Sequence, residues 1–326
     1  MGIVQEVIDA FPFDGRPLLL ERDEDLLLAP PLPSRKQLRA HPPVEAVHFP
    51  PEYIEREFSH PRGIYESDFL RVEWQTMNNR QPFYHRNCDV DEMSFQVAGE
   101  RTLMTELGTV ELTPGDFSRI PVAIAHDNYG RRDIHLLFYV PAPVEELQPA
   151  VRTAQPLETP FPGWEAAHTN ELITECLGGP EHDIVMAPAD ERLLLGHADR
   201  VAERIRLQRP DEDAEGTTWL YGSRDLLIGR ADAAFSDGRT YTRHRNATEI
   251  QYQISGTRTL VTQRGSLHLE PGDFVSIPVG IAFTSIHGGP SRHIVLASAR
   301  EVPRVADATK KGEPITAAEA DALRAA

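Results

Sequence analysis

Tyr84-His85-Arg86-Asn87-Cys88 is followed in this chain by Glu92, Gly99, Gly115, Pro121 and His126. Residues 81–96 read as extended chain, rich in aromatic and β-branched neighbours. On a strand of period two, Glu92, Ser94 and Gln96 share one face, and Asn87 shares the face of His85. His85 and Glu92 lie seven residues apart, so a bend within Cys88-Asp89-Val90-Asp91 is required if both point into one site. Beyond Gly99 the pattern predicts a hairpin turning at Glu106-Leu107-Gly108, then a turn at Pro114-Gly115-Asp116 and another at Pro121. His126 opens the next strand. Two imidazoles and one carboxylate leave coordination positions open, an arrangement that suits Fe(II) oxygen chemistry. Mn(II), Ni(II), Co(II) and Zn(II) accept the same donors, so ligand type alone does not name the metal.

The order His85, Asn87, Glu92, Gly99, Gly115, Pro121, His126 resembles the two motifs of the cupin superfamily, with Asn87 where a second histidine is usual. The run from Tyr84 to Cys88 more specifically resembles homogentisate 1,2-dioxygenase, over about fifty residues. Glu92 stands one residue further from the histidine than in that family. The resemblance implies small β-barrels, a His85, Glu92, His126 iron centre without a ligand at Asn87, and insertion of both atoms of O2 into a hydroxylated aromatic ring. Homogentisate-, gentisate-, salicylate- and hydroquinone-like compounds form the expected substrate class.

An internal duplication gives the architecture. Shifted by 157 residues, Glu92 to Gly99 matches Glu249 to Gly256, Pro114 to Phe117 matches Pro271 to Phe274, and Ile120-Pro121-Val122 matches Ile277-Pro278-Val279. The expected fold is therefore all-β: a bicupin of two tandem jelly-roll barrels with few short helices. The second copy is read as keeping His244 and Glu249 with a shorter intervening loop, and Phe283 replaces His126. A phenylalanine cannot ligate a metal, so His244 and Glu249 are expected to be a polar pair in a degenerate site, with His287 and His293 as the candidates for a rescuing ligand.

The expected division is an N-terminal arm at 1–60 packing on the barrels or a partner subunit, and a metal-holding barrel at 61–140. Residues 141–215 are read as linker and strands given to the second domain, 216–301 as the degenerate barrel and 302–326 as a tail. Short helices are expected within 191–205 and 317–326. A formal net charge of -17 argues against nucleic acid and anionic membrane as partners, by repulsion. No stretch of about 18 apolar residues is present, the first residues do not read as a signal peptide, and two cysteines make no disulfide framework, so a cytoplasmic location is expected.

Around the metal ligands, Gln96, Asn87 and His135 are the candidate catalytic groups. Arg71, Arg119, Trp74, Tyr84 and Asn128 are the candidate substrate contacts, Arg71 and Trp74 because their aligned residues in the second copy are Ile228 and Ala231, and Arg119 because Ser276 replaces it. The leading expectation is an Fe(II)-dependent dioxygenase acting on a small aromatic acid or phenol with O2, in a homo-oligomer. Other metal-dependent cupin enzymes, quercetinase-like or isomerase, and a non-catalytic storage or small-molecule-binding protein are the alternatives.

Overall fold

The computed structural model describes residues 2–31, 42–55, 60–157, 168–177 and 183–325. The chain divides into two compact units, one of Pro51–Pro210 with Val302–Ala306, the other of Met1–Pro50, Asp211–Glu301 and Asp307–Ala326. Each is a jelly-roll barrel, and the protein is all-β with short helices.

The first barrel is organised by two long antiparallel strands, Val90–Thr105 and His126–Pro141, which pair along most of their length. Both run through the two faces of the barrel, and the change of direction needs a glycine. Gly99 has φ +68, and a Cβ there would lie 2.1 Å from the Arg132 carbonyl oxygen. The register shifts opposite it, between Arg131 and His135. Arg71–Met77 and Phe117–Ile120 complete one face; Tyr84–Asn87 and Gly108–Leu112 lie on the other. The chain bends at Cys88 and Asp89, as the His85-to-Glu92 spacing requires. Leu103, Leu107, Leu112, Ile120 and Leu207 form one apolar end of this barrel.

In the second barrel the same path is broken into shorter strands. Thr248–Ser255 and Arg258–Thr262 take the place of Val90–Thr105, and Phe283–His287 and Ser291–Ser298 that of His126–Pro141. Gly256, at φ +70 with the Pro290 carbonyl 2.1 Å from a notional Cβ, repeats the part of Gly99.

The structure corrects the expected division of the chain. Residues 2–31 and 42–50 are no separate arm: Ile3–Asp9 lies parallel to Thr240–His244, and Glu45–His48 pairs with Asp273–Ile277, so these strands build the second barrel. Residues 141–210 likewise belong to the first barrel rather than the second. His168–Thr174 lies parallel to Tyr84–Asn87, and Arg206–Gln208 pairs with Phe117–Ile120. The two segments are themselves a repeat. Each runs strand, hairpin strand, short helix, strand, and the helices carry matching sequence, Asp23-Glu24-Asp25-Leu26-Leu27-Leu28 against Asp190-Glu191-Arg192-Leu193-Leu194-Leu195. The aspartates cap the helices through their side chains. The glutamates that follow accept the hydroxyls of Tyr241 (2.8 Å) and Tyr84 (2.9 Å). Ala317–Ala325 is helical and belongs to the second unit, so the C-terminal segment is not a loose tail.

Candidate metal centre

His85, Glu92 and His126 come together inside the first barrel, each offering one ligand atom within 4.8 Å of the other two. His85 stands on Tyr84–Asn87, directly paired with His126 at the start of its strand, and Glu92 follows the bend. The two imidazoles face each other with ring centroids 5.4 Å apart, and His126 Nε2 is 3.3 Å from Glu92 Oε2. The other nitrogen of His126, Nδ1, lies 3.2 Å from the backbone oxygen of Ile124. That contact fixes the ring and leaves Nε2 toward the carboxylate, the usual orientation of a metal-ligating histidine.

The electrostatics fit a site built for a cation. Burial opposes the charge on Glu92, but the positive charge of His126 with hydrogen bonds from His126 and Asn87 holds it at about 2. Burial and the neighbouring charge of His126 lower His85 to about 4, so its ring is neutral at pH 7. Burial also works against protonation of His126, yet the Glu92 carboxylate outweighs it and raises His126. Asn87 is a support rather than a ligand. Its Nδ2 donates to Glu92 Oε2 at 2.9 Å, and its Oδ1 accepts from Cys176 Sγ at 2.9 Å.

Strand parity sorts the remaining sequence candidates. Tyr139 pairs with both Glu92 and Arg71, which puts Arg71 on the side of the metal ligands. There its guanidinium pairs with Glu73 and lies 5.9 Å from the Tyr139 ring. Burial pushes the Glu73 carboxyl up, against the charge of Arg71. Three expected contacts point the other way. Trp74 shares its face with Leu136 and Phe95, and Arg119 shares its own with Met93 and pairs with Asp91 (2.9 Å) and Glu146 (3.2 Å). Tyr84 packs with Met104, Ala125 and Leu195 and bonds Glu191. These three belong to the barrel wall. Asn128, two residues beyond His126, keeps a buried Oδ1 without a hydrogen-bond partner.

Gln96 and His135 lie deeper. Four residues of strand separate Gln96 from Glu92, about 13 Å at the usual rise. Gln96 Nε2 donates to Asp133 Oδ1 (2.6 Å) and to the Ala98 carbonyl (2.8 Å), while His135 Nδ1 lies 2.8 Å from Asp133 Oδ2. Burial and the Arg101 charge lower His135. This buried group and Arg101, which donates to Ser94 Oγ at 2.5 Å, form the floor of the barrel rather than the edge of the metal centre. Glu73, Tyr139 and Cys176 are the site-facing residues that the sequence reading missed.

Pairing also corrects the alignment of the two copies. His85 pairs with His126, whereas Thr242 pairs with Phe283. Backbone bonds Ala123 N to Asn87 O and Gly280 N to His244 O agree. His244 therefore occupies the place of Asn87, Thr242 that of His85, and the loop to the glutamate is no shorter. Tyr241-Thr242-Arg243-His244 against Tyr84-His85-Arg86-Asn87 at the constant shift of 157 was the available signal. In the strand before it the offset is 156: Arg71 faces Tyr139 and Leu227 faces Ala297, so Arg71 answers to Leu227, not Ile228, and Ala231 answers to Gln75, not Trp74. Among the described residues no group of three metal-ligating side chains forms around His244 and Glu249. His287 Nδ1 is 2.7 Å from the Gly289 carbonyl, and His293 stands at the place of His135. The cluster His48, Glu270, Asp273 already holds a cation, the Lys310 ammonium, 2.8 Å from Glu270 and 2.6 Å from Asp273.

Solved structures similar to the chain include a cupin protein and an oxalate decarboxylase. One is a cupin 2 conserved barrel domain protein from Leptotrichia buccalis, at 8% identity, covering 75% of this chain and 92% of that one, TM-score 0.46. Another is a point mutant of Bacillus subtilis oxalate decarboxylase, at 13% identity, 82% and 80% coverage and TM-score 0.46; a deletion mutant of the same enzyme gives 13%, 82%, 80% and 0.47. No family model matches the sequence, and no curated protein matches it. The expected likeness to homogentisate 1,2-dioxygenase thus gains nothing from these comparisons. The two jelly-roll barrels stand on the strand pairing described above. No helix among the described residues is long and apolar enough to cross a membrane.

Proposed function

We propose that the first barrel binds one divalent metal through His85, Glu92 and His126 and that the protein is a non-haem Fe(II) dioxygenase cleaving a hydroxylated aromatic ring. The observation that carries this reading is the convergence of two imidazoles and one carboxylate within 4.8 Å, with an asparagine bonded to the carboxylate at the position of the usual further histidine. Such a donor set suits Fe(II), with Mn(II), Ni(II), Co(II) and Zn(II) as the other candidates. When bound, Fe(II) supplies open coordination positions for a substrate oxygen and O2 side by side.

The chain's own residues prepare that chemistry. Asn87 orients Glu92, the Ile124 carbonyl orients His126, and burial keeps His85 unprotonated and ready to donate its lone pair. Arg71, on the ligand side of its strand, offers a positive charge to an anionic substituent, moderated by Glu73. Leu137 and Tyr139 on the same side supply apolar surface for a flat ring.

The test is anaerobic loading with Fe(II), followed by oxygen-uptake measurements over gentisate, homogentisate, salicylates and hydroquinones. Uptake with one of them, lost in His126→Ala, supports the reading. With bound iron verified, no uptake from any of them sinks ring cleavage and leaves a metal-binding cupin of another activity.

A further inference from the structure

At the position of the metal centre, the second barrel contains a cavity of about 410 Å3. That volume lies within the range of small-molecule pockets. The loss of the ligands has not been followed by collapse. Thr242, His244 and Phe283 stand where His85, Asn87 and His126 do in the first barrel, and Glu249, at the place of Glu92, is joined to His244 by a hydrogen bond of 2.6 Å from Nε2 to Oε2. A smaller residue opens part of the space: Ala231, in the cavity lining, stands in place of Gln75.

We propose that this cavity is a metal-free binding site for an uncharged, hydroxylated six-membered ring. Its chemistry is rich in hydrogen-bonding groups. A carboxylate only accepts, so His244 donates from Nε2, and its Nδ1 is buried without a hydrogen-bond partner. His293 Nδ1, also lining the cavity, is likewise without a partner. Thr217, Thr240, Thr242, Ser236 and Ser285 add hydroxyls. Such unpaired buried atoms are costly unless a ligand satisfies them.

Flat apolar surface completes the site. The ring of Phe13 stacks on Trp219 with centroids 5.8 Å apart and planes at 5°, and lies 4.9 Å from His244. Phe13 is held there in the left-handed region at φ 66, a strained conformation for a bulky residue. Asn246 fixes the same segment by accepting from Phe11 N (2.8 Å) and donating to Phe11 O (3.2 Å). The charged side chains of the lining, apart from histidine, are the acids Asp9 and Glu249. Arg258 beneath them is taken by Gln251, Gln253 and Ser285. An anion is therefore disfavoured, in contrast to the Arg71 side of the first barrel.

Titration calorimetry on the full chain stripped of metal tests this, with hydroquinone as the aromatic ring, myo-inositol as the saturated ring and benzoate as the anion. One saturable site for either neutral ring is expected, with benzoate about tenfold weaker or worse. Either neutral ring alone supports the proposal and tells whether the aromatic face or the hydroxyl pattern selects. Ala231→Phe, which fills the cavity, lowers affinity about tenfold or more, and Thr242→Val, which keeps the shape and removes one hydroxyl, lowers it several-fold and serves if the first variant does not fold. Binding persists in His126→Ala. No saturable binding of either neutral ring, equal binding of benzoate, indifference to both second-barrel substitutions, or loss in His126→Ala overturns the proposal.

Discussion

Replacing Asn87 by alanine separates a positioning role from a filler. Asn87 Nδ2 donates to the Glu92 carboxylate at 2.9 Å, and the whole group is buried. A hydrogen bond to a charged group contributes about 1.5–3 kcal/mol, and leaving the buried oxygen unmet adds to the loss. At about 1.4 kcal/mol per decade, that is roughly a 10- to 100-fold weakening of metal affinity, which is also the usual range for the partners that orient metal ligands. Competition titration of the two proteins with a chromogenic chelator gives the affinities. Asn87→Ala binding metal within about threefold of the parent would falsify the positioning role.

Other outcomes follow from the same geometry. Restoring both missing imidazoles, Thr242→His with Phe283→His, is expected to raise metal content from one to two per chain by elemental analysis, whereas Phe283→His alone is not; an unchanged count for the double variant contradicts the corrected alignment. Gly99→Ala forces a Cβ to 2.1 Å from the Arg132 carbonyl at φ +68 and should lower stability by about 2 kcal/mol or more in chemical denaturation, while a change below about 0.5 kcal/mol counts against the bend described here. The pH dependence has a definite sign. The raised pKa of His126 stabilises the metal-free protein fully below the unfolded-state value and is lost as pH rises through the folded one, and its proton must leave before metal binds. Metal affinity therefore climbs with pH up to that folded value, with net proton release in calorimetry across buffers of different ionisation heat. His85, lowered to about 4, adds no such release at neutral pH, and its burial costs stability as pH falls from its unfolded value through about 4.

The metal trio was legible because it depends on ligand types and on turns that glycine and proline announce locally. The sites of the barrel wall were not, since a strand residue faces the centre or the outside by parity alone. Trp74 faces away from the site, while its neighbours Glu73 and Gln75 share the face of Arg71. The assignment of the first 50 residues to the second barrel is a matter of long-range pairing, Ile3–Asp9 with Thr240–His244, which leaves no local mark. Its trace was the Asp-Glu-any-Leu-Leu-Leu repeat at 23–28 and 190–195, spaced by 167 rather than 157 residues. The pairing partner of Phe283, Thr242 rather than His244, emerges only from the strand register.

The first barrel is expected to hold a single metal. Anaerobic reconstitution of the full chain with Fe(II), removal of free metal and elemental analysis measure it directly, with His126→Ala and His244→Ala alongside. One equivalent in the parent and in His244→Ala, with metal lost in His126→Ala, is the predicted result. No metal in the parent, two equivalents, or metal retained in His126→Ala but lost in His244→Ala contradicts it.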